Sequence, residues 1–145
     1  MGARRLWLRT QRDTFFQVSK GWLKLRETDE TRPEIISYTR STDHSGPRES
    51  NYDVVPVADA ETWKRLLGRA LPLDKVVEKQ RTLWVYEHTR IHLDEVVGVG
   101  SFLELETIIM DIDPDEAKAE VDRVIYALAL NRDEFVSVPY RDLVG

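Results

Sequence analysis

Strand-like alternation of apolar and polar residues dominates this sequence. Alternation with a period of two is typical of strands that bury one face and expose the other. The predicted strands are residues 13–18, 22–27, 34–40, 52–57, 76–86, 90–97 and 101–110. No strand–helix–strand unit repeats, which argues against a parallel, doubly wound sheet. The pattern therefore predicts antiparallel hairpins with outlying helices, an α+β fold.

Two stretches with helical periodicity interrupt or follow the strands. Asp59 is a suitable N-cap for a helix that extends to about Ala70 with one apolar face. Asp113 is the predicted N-cap of a second helix, because Pro114 suits the first helical position and acidic residues follow in the first turn. Both helices are expected to pack their apolar faces on the sheet.

Charged residues recur at intervals of two within the predicted strands. Residues i and i+2 of a strand point to the same face, so Lys24 and Arg26 share one face and the intervening Leu25 takes the other. The same rule collects six cations on one face of the sheet: Lys24, Arg26, Arg40, Lys79, Arg81 and Arg90. It adds three carboxylates: Asp94, Glu104 and Glu106.

An ordinary sheet with one face in water would explain any single charged pair. It explains the whole set less well, since solvated faces usually mix signs and include neutral polar residues. If the sheet curls into a barrel, the charged face becomes the lumen. Two like charges ~6 Å apart at an effective dielectric constant of ~20 repel by roughly 3 kcal/mol. The charged lumen therefore predicts a binding site for a polyanion such as a chain of phosphates.

The carboxylates on this face allow two interpretations. Glu104 and Glu106, with Asp94 in the preceding strand, are hard oxygen ligands suited to Mg²⁺ or Mn²⁺. A divalent ion that bridges carboxylates and phosphate oxygens would favour phosphoryl transfer. Alternatively, the two glutamates only neutralise neighbouring arginines.

Seven segments carry a resemblance to a known family. They are 11–16 (QRDTFF), 21–27 (GWLKLRE), 36–40 (ISYTR), 50–52 (SNY), 77–81 (VEKQR), 90–94 (RIHLD) and 98–106 (GVGSFLELE). In this order, and with the closing segment 140–143, the sequence resembles the CYTH superfamily, also called triphosphate tunnel enzymes. The resemblance implies an antiparallel β-barrel, or tunnel, with a polar interior that binds triphosphate.

The resemblance also implies roles for individual residues. Catalytic roles would belong to Lys79, Arg81 and Asp94, with Asp94 either assisting near the metal or orienting a basic residue. The phosphates would be bound by Lys24, Arg26, Arg40, Lys79, Arg81 and Arg90. The divalent ion, Mg²⁺ or Mn²⁺, would be held by Glu104 and Glu106.

The sequence departs from the family at its start. The family's first strand carries a Glu-x-Glu-x-Lys signature, and residues 1–10 contain none. We therefore expect one domain over residues 1–145 that is short at its N-terminus, with a tunnel lacking its first strand and weak or no catalysis. The missing strand would leave an unpaired sheet edge, which invites homodimer formation.

Composition narrows the class of protein further. The 145 residues carry a formal net charge of -5, contain no cysteine, and include no apolar run of the ~20 residues that a membrane helix needs. We expect a cytoplasmic protein that binds neither membranes nor nucleic acids in general. Three functions remain open. They are a metal-dependent phosphohydrolase acting on tripolyphosphate, ATP or thiamine triphosphate, an adenylate cyclase, and a non-catalytic binder of polyphosphate or nucleotide.

Overall fold

A computed structural model describes residues 2–40, 50–109, 112–131 and 140–143. The strands are β1 (Arg4–Phe16), β2 (Trp22–Thr28), β3 (Glu34–Arg40), β4 (Ser50–Pro56), β5 (Leu73–Tyr86), β6 (Thr89–Val96) and β7 (Gly100–Thr107). The helices are α1 (Ala60–Ala70), α2 (Pro114–Ala127) and α3 (Tyr140–Leu143). Within these described ranges, none of the helices has the length and apolar character of a membrane-spanning segment.

The strands form one antiparallel sheet in the order β4-β3-β2-β1-β5-β6-β7. The predicted α+β class with antiparallel strands and outlying helices is confirmed. The first strand is longer than predicted: it begins at Arg4 rather than at residue 13. The residues at the start of β1 are strand because they pair with β5, and this pairing extends from Arg4 to Phe16. The sequence pattern of β1 alone does not identify a distant partner.

The sheet is curled so that its two edge strands come within electrostatic reach of each other. Tyr52 lies on β4 and Glu106 on β7, at opposite ends of the strand order. Burial and the negative charge of Glu106 raise the pKa of Tyr52. Within the described residues β4 and β7 are not paired, so the sheet surrounds a concave interior without closing into a complete barrel.

The end of β1 is buried on both of its faces. Phe15 points to the concave side and packs with Val77 and Val96. Phe16 points to the convex side, where it packs with Leu25 and Val57 beneath α1. Successive strand residues face opposite sides, so two adjacent phenylalanines serve two separate cores.

The two longer helices begin where the sequence predicts. Asp59 caps α1 by accepting a hydrogen bond from the backbone N–H of Glu61 at 3.1 Å. Asp113 caps α2 by accepting one from the backbone N–H of Asp115 at 2.8 Å. Within α2, the buried Glu120 accepts the backbone N–H of His88 at 3.2 Å and thereby fastens the helix to the turn between β5 and β6.

Truncating Leu25 tests the core beneath α1. Its side chain is fully buried, with 0 % exposure, so Leu25→Ala should lower the free energy of unfolding by about 2–5 kcal/mol. The measurement is urea denaturation followed by circular dichroism. Leu8→Ala is the matched control, because Leu8 on the convex side of β1 is 50 % exposed and should change stability little. Equal losses for both variants would contradict the assignment of this core.

Candidate functional site

Six charged side chains meet on the concave face of the sheet and are called the charge cluster below. They are Asp13, Lys24, Arg26, Lys79, Arg81 and Asp94. Register explains the assembly: Asp13 lies opposite Arg26 on β2, and Arg81 lies opposite Asp94 on β6. Directly opposed residues of an antiparallel pair point to the same face, so four neighbouring strands contribute to one cluster.

Asp13 is the centre of the cluster. Its Oδ2 accepts hydrogen bonds from Lys24 Nζ at 2.9 Å and from Lys79 Nζ at 3.1 Å. Arg26 binds both carboxylate oxygens through Nε and Nη2 at 2.8 Å. Burial of Asp13, which is 1 % exposed, would raise its pKa. The three cations outweigh burial and hold the pKa of Asp13 well below its usual range.

Arg81 and Asp94 form the second ion pair of the cluster. Nε and Nη2 of Arg81 donate to the two oxygens of Asp94, each at 2.7 Å. The hydroxyl of Tyr140 donates to Asp94 Oδ2 at 3.0 Å, so α3 contributes a side chain to the interior. The Tyr140 ring lies 5.6 Å from Lys79 Nζ and packs on Phe102. This bidentate contact holds the guanidinium of Arg81 in one orientation, and the two roles that the family resemblance implies for Asp94 stay predictions.

The two lysines are the cations that can lose their charge. Burial lowers the pKa of Lys24 to about 7, and the positive charge of Arg26 adds to the effect. Burial lowers the pKa of Lys79 to about 8, against the opposing influence of Asp13. Arginine stays protonated in proteins, so crowding among these cations is relieved at the lysines.

The β7 glutamates lie beside the cluster and face basic groups. Glu104 Oε2 is 3.9 Å from Arg81 Nη2, and Glu104 Oε1 is 3.6 Å from His92 Nδ1. Burial opposes ionisation of Glu104, yet His92 and Arg81 hold its pKa well below the usual value. Burial lowers the pKa of His92, so this imidazole is uncharged at neutral pH. Glu106 Oε1 is 3.8 Å from Arg90 Nη1.

The donor set only partly fits a divalent ion. Among the described residues, no group of three or more histidine, cysteine, aspartate or glutamate side chains converges in a way that could hold a metal. Mg²⁺ is commonly bound by one or two carboxylates while water and substrate phosphates complete its shell. Glu104 and Glu106 do not form a metal site by themselves, but they fit an arrangement in which the ion is bound together with a phosphate ligand.

The structure gathers four of the six predicted cations into the charge cluster: Lys24, Arg26, Lys79 and Arg81. Arg90 is on the same face but is half-exposed beside Glu106. The side chain of Arg40 lies outside the described part of the chain. The repulsion argument from the sequence was incomplete, because Asp13 supplies much of the counter-charge from within the protein.

Two site residues escaped the sequence analysis. Asp13 was placed at the start of a strand with no charged partner, although its alternation with Phe15 would have put it on the interior face. Tyr140 follows α2 in the sequence and belongs to no strand, so alternation could not place it beside Asp94. Its recruitment depends on tertiary packing alone.

The sequence is similar to a known family and to a curated protein. The family model described as "CYTH domain" matches residues 7–135. A curated relative from Methanocaldococcus jannaschii, named "Putative adenylate cyclase", is 27% identical over 141 residues, which are 95% of this chain and 69% of that protein.

Solved structures share the fold. A protein of Pyrococcus horikoshii OT3 superimposes with a TM-score of 0.86 at 23% identity, covering 99% of this chain and 87% of the other. A conserved hypothetical protein of Pyrococcus furiosus gives a TM-score of 0.87 at 18% identity with the same coverage of 99% and 87%. A protein of Vibrio parahaemolyticus, titled a putative adenylate cyclase, gives 0.77 at 16% identity, covering 99% and 85%.

Removing the charge of Asp13 tests its central position. Asp13→Asn should lower the free energy of unfolding by about 3–5 kcal/mol, because two buried lysines and the partly buried Arg26 lose their shared counter-charge. The measurement is thermal and urea denaturation at low salt. Asp53→Asn on the exposed part of β4 is the control and should leave stability nearly unchanged. An Asp13→Asn variant as stable as the unaltered protein would contradict the assignment.

Proposed function

This chain belongs to the CYTH domain family, and on that premise we propose that its interior binds a linear triphosphate with a divalent ion and promotes hydrolysis of the terminal phosphoryl group. The observation that carries the proposal is the charge cluster, in which buried cations converge beside the glutamates of β7. Family members bind triphosphates and depend on metal ions, which agrees with this arrangement. The ligand class covers inorganic and organic triphosphates.

The cluster keeps hydrogen-bond donors for a ligand. A lysine has three N–H donors and an arginine five. Asp13 uses one donor from each lysine and two from Arg26, and Asp94 uses two from Arg81. The remaining donors on four cations suit phosphate oxygens, which accept charge-assisted hydrogen bonds. Asp13 and Asp94 therefore orient the cations and leave part of each one for binding.

In the proposed reaction, a water oxygen bonds to the terminal phosphorus as the bond from that phosphorus to its bridging oxygen breaks. Diphosphate and orthophosphate are the products of inorganic triphosphate. Arg81 and Lys79 stabilise the charge that develops on the phosphoryl oxygens. A divalent ion bound with the substrate between Glu104, Glu106 and the phosphates would supply further charge neutralisation. The neutral His92 lies next to Glu104 and is placed to accept a proton near this point.

A second candidate is adenylate cyclase activity. Its specific support is the relative from Methanocaldococcus jannaschii, whose name is that of a putative adenylate cyclase. In that reaction the 3′-hydroxyl of ATP attacks the α-phosphate and pyrophosphate leaves, so the same cationic interior would serve. Binding without turnover is the third outcome that the sequence left open.

One assay separates these activities. The purified chain is incubated with tripolyphosphate or ATP and either Mg²⁺ or Mn²⁺, and orthophosphate and cyclic AMP are measured. Orthophosphate release supports the hydrolase, whereas cyclic AMP formation favours the cyclase.

Arg81→Gln should weaken triphosphate binding about tenfold or more, because it removes a buried cation that donates hydrogen bonds to the phosphate oxygens. Arg65→Gln on the exposed face of α1 is the control.

The binding arm of this experiment can contradict the proposal outright. Titration calorimetry with tripolyphosphate should show saturable binding to the unaltered protein. Absence of binding, or equal affinity in the Arg81→Gln and Arg65→Gln variants, would eliminate the interior as a triphosphate site. Binding without product would retain the site and remove the catalytic step.

Affinity should also depend on pH through the buried lysines. A bound polyanion favours the charged lysine, so affinity should fall as pH rises through the pKa values of Lys24, about 7, and Lys79, about 8. Titrations are run from about pH 6 to about pH 9 in buffers with different ionisation enthalpies. Near neutral pH, the protein should take up about one proton when tripolyphosphate binds. The protons exchanged by tripolyphosphate itself are measured separately and subtracted.

Two variants check the source of this pH dependence. Lys24→Arg and Lys79→Arg keep their charge over the whole range, so each should flatten the pH profile. Lys20→Arg changes an exposed lysine and should preserve the profile. Net proton release on binding would contradict the assignment of Lys24 and Lys79 as the titrating groups.

A further inference from the structure

Arg9 is an interior cation that the strand predictions did not include. It lies on β1, directly opposite Arg81 of β5, and opposed residues of an antiparallel pair point to the same face. Paired Cα atoms in such a ladder are ~4.5–5.5 Å apart. Arg9 therefore projects from the same face as the charge cluster, one strand away from Arg81.

Trp7 holds the Arg9 side chain on that face. The guanidinium carbon of Arg9 is 5.0 Å from the centre of the Trp7 ring, a cation–π contact. Trp7 also faces the interior, because it pairs with Leu83 of β5. Leu6 and Leu8, the residues on either side of Trp7, are exposed. The strand thus directs an arginine inward and two leucines outward.

Arg9 lies near the edge of the cluster. Its side chain is half-buried, whereas Lys79 and Arg81 are buried. The pairing of β2 with β1 ends at Thr28, opposite Gln11, so Arg9 is paired on the β5 side but lies beyond the β1–β2 ladder. This position adjoins the deeper cations and remains accessible to a ligand.

Arg9 also differs from the cluster cations in its partners. Lys24, Arg26 and Lys79 share Asp13, and Arg81 is paired with Asp94. Within residues 2–40, 50–109, 112–131 and 140–143, no carboxylate lies within ion-pair distance of Arg9. Stacking on an aromatic ring leaves the guanidinium edge available for a bidentate contact with phosphate oxygens.

We propose that Arg9 is a further binding residue, which contacts the phosphate farthest from Glu104 in a linear triphosphate whose other phosphates, including the one that is hydrolysed, lie against the charge cluster. The inference rests on the proposed function, since it names the residue that recognises the number of phosphates in the bound anion. Because Arg9 lies at the edge of the cluster, beyond the β1–β2 ladder, its contribution depends on the third phosphate. Arg9 thereby favours triphosphate over diphosphate.

The test compares three variants on β1. Arg9→Gln removes the charge, Arg9→Lys keeps the charge but loses the planar fork, and Arg5→Gln makes the same charge change at an exposed position that pairs with Trp84 and faces the convex side. Titration calorimetry measures the affinity of each protein for tripolyphosphate and pyrophosphate at several salt concentrations. Circular dichroism confirms that each variant is folded.

Arg9→Gln should weaken tripolyphosphate binding about tenfold and pyrophosphate binding less than about threefold. Arg9→Lys should recover part of the loss, and Arg5→Gln should bind both ligands like the unaltered protein. An unchanged affinity of Arg9→Gln for tripolyphosphate, or an equal loss for both anions, would overturn the inference while leaving the proposed function intact. Failure of the unaltered protein to bind tripolyphosphate would overturn both.

Discussion

The carboxylate of Asp13 is the contact on which the interior of this protein depends. Three cations from two neighbouring strands converge on it, and its own side chain is almost completely buried. Without a shared counter-charge, burying two lysines and an arginine together would be strongly unfavourable. Asp13 thus allows the sheet to turn a cationic face inward. The same contact leaves each cation with donors for another anion.

Asp13 can occupy this position because β1 is the central strand of the sheet. It is paired on both sides, with β2 and with β5. At its C-terminal end, Phe15 and Phe16 pack into the cores on the two faces of the sheet. A strand fixed in this way holds its side chains in a defined register. The positions of Arg26 and Lys79 relative to Asp13 follow from that register. Rigidity of the scaffold and geometry of the site therefore have the same origin.

Much of this arrangement could be predicted from the sequence, because period-two alternation reports which face a residue occupies. Lys24, Arg26, Lys79 and Arg81 were placed together by that rule alone, and both helix caps follow from local chemistry. Alternation cannot report how far a strand extends when its partner is distant, so the early residues of β1 were missed. It also cannot report tertiary recruitment, as with Tyr140, or which cations share one carboxylate.

The sequence separations of the Asp13 partners have a consequence for folding. Lys24 and Arg26 are 11 and 13 residues away, within one hairpin, whereas Lys79 is 66 residues away. Closing a short loop is faster and entropically less costly than closing a long one. We therefore expect the β1–β2 hairpin to form with its carboxylate already neutralised, before β5 arrives. The last lysine must then enter a site that already holds two cations against one carboxylate, so docking of β5 is the step that salt and polyanions should accelerate.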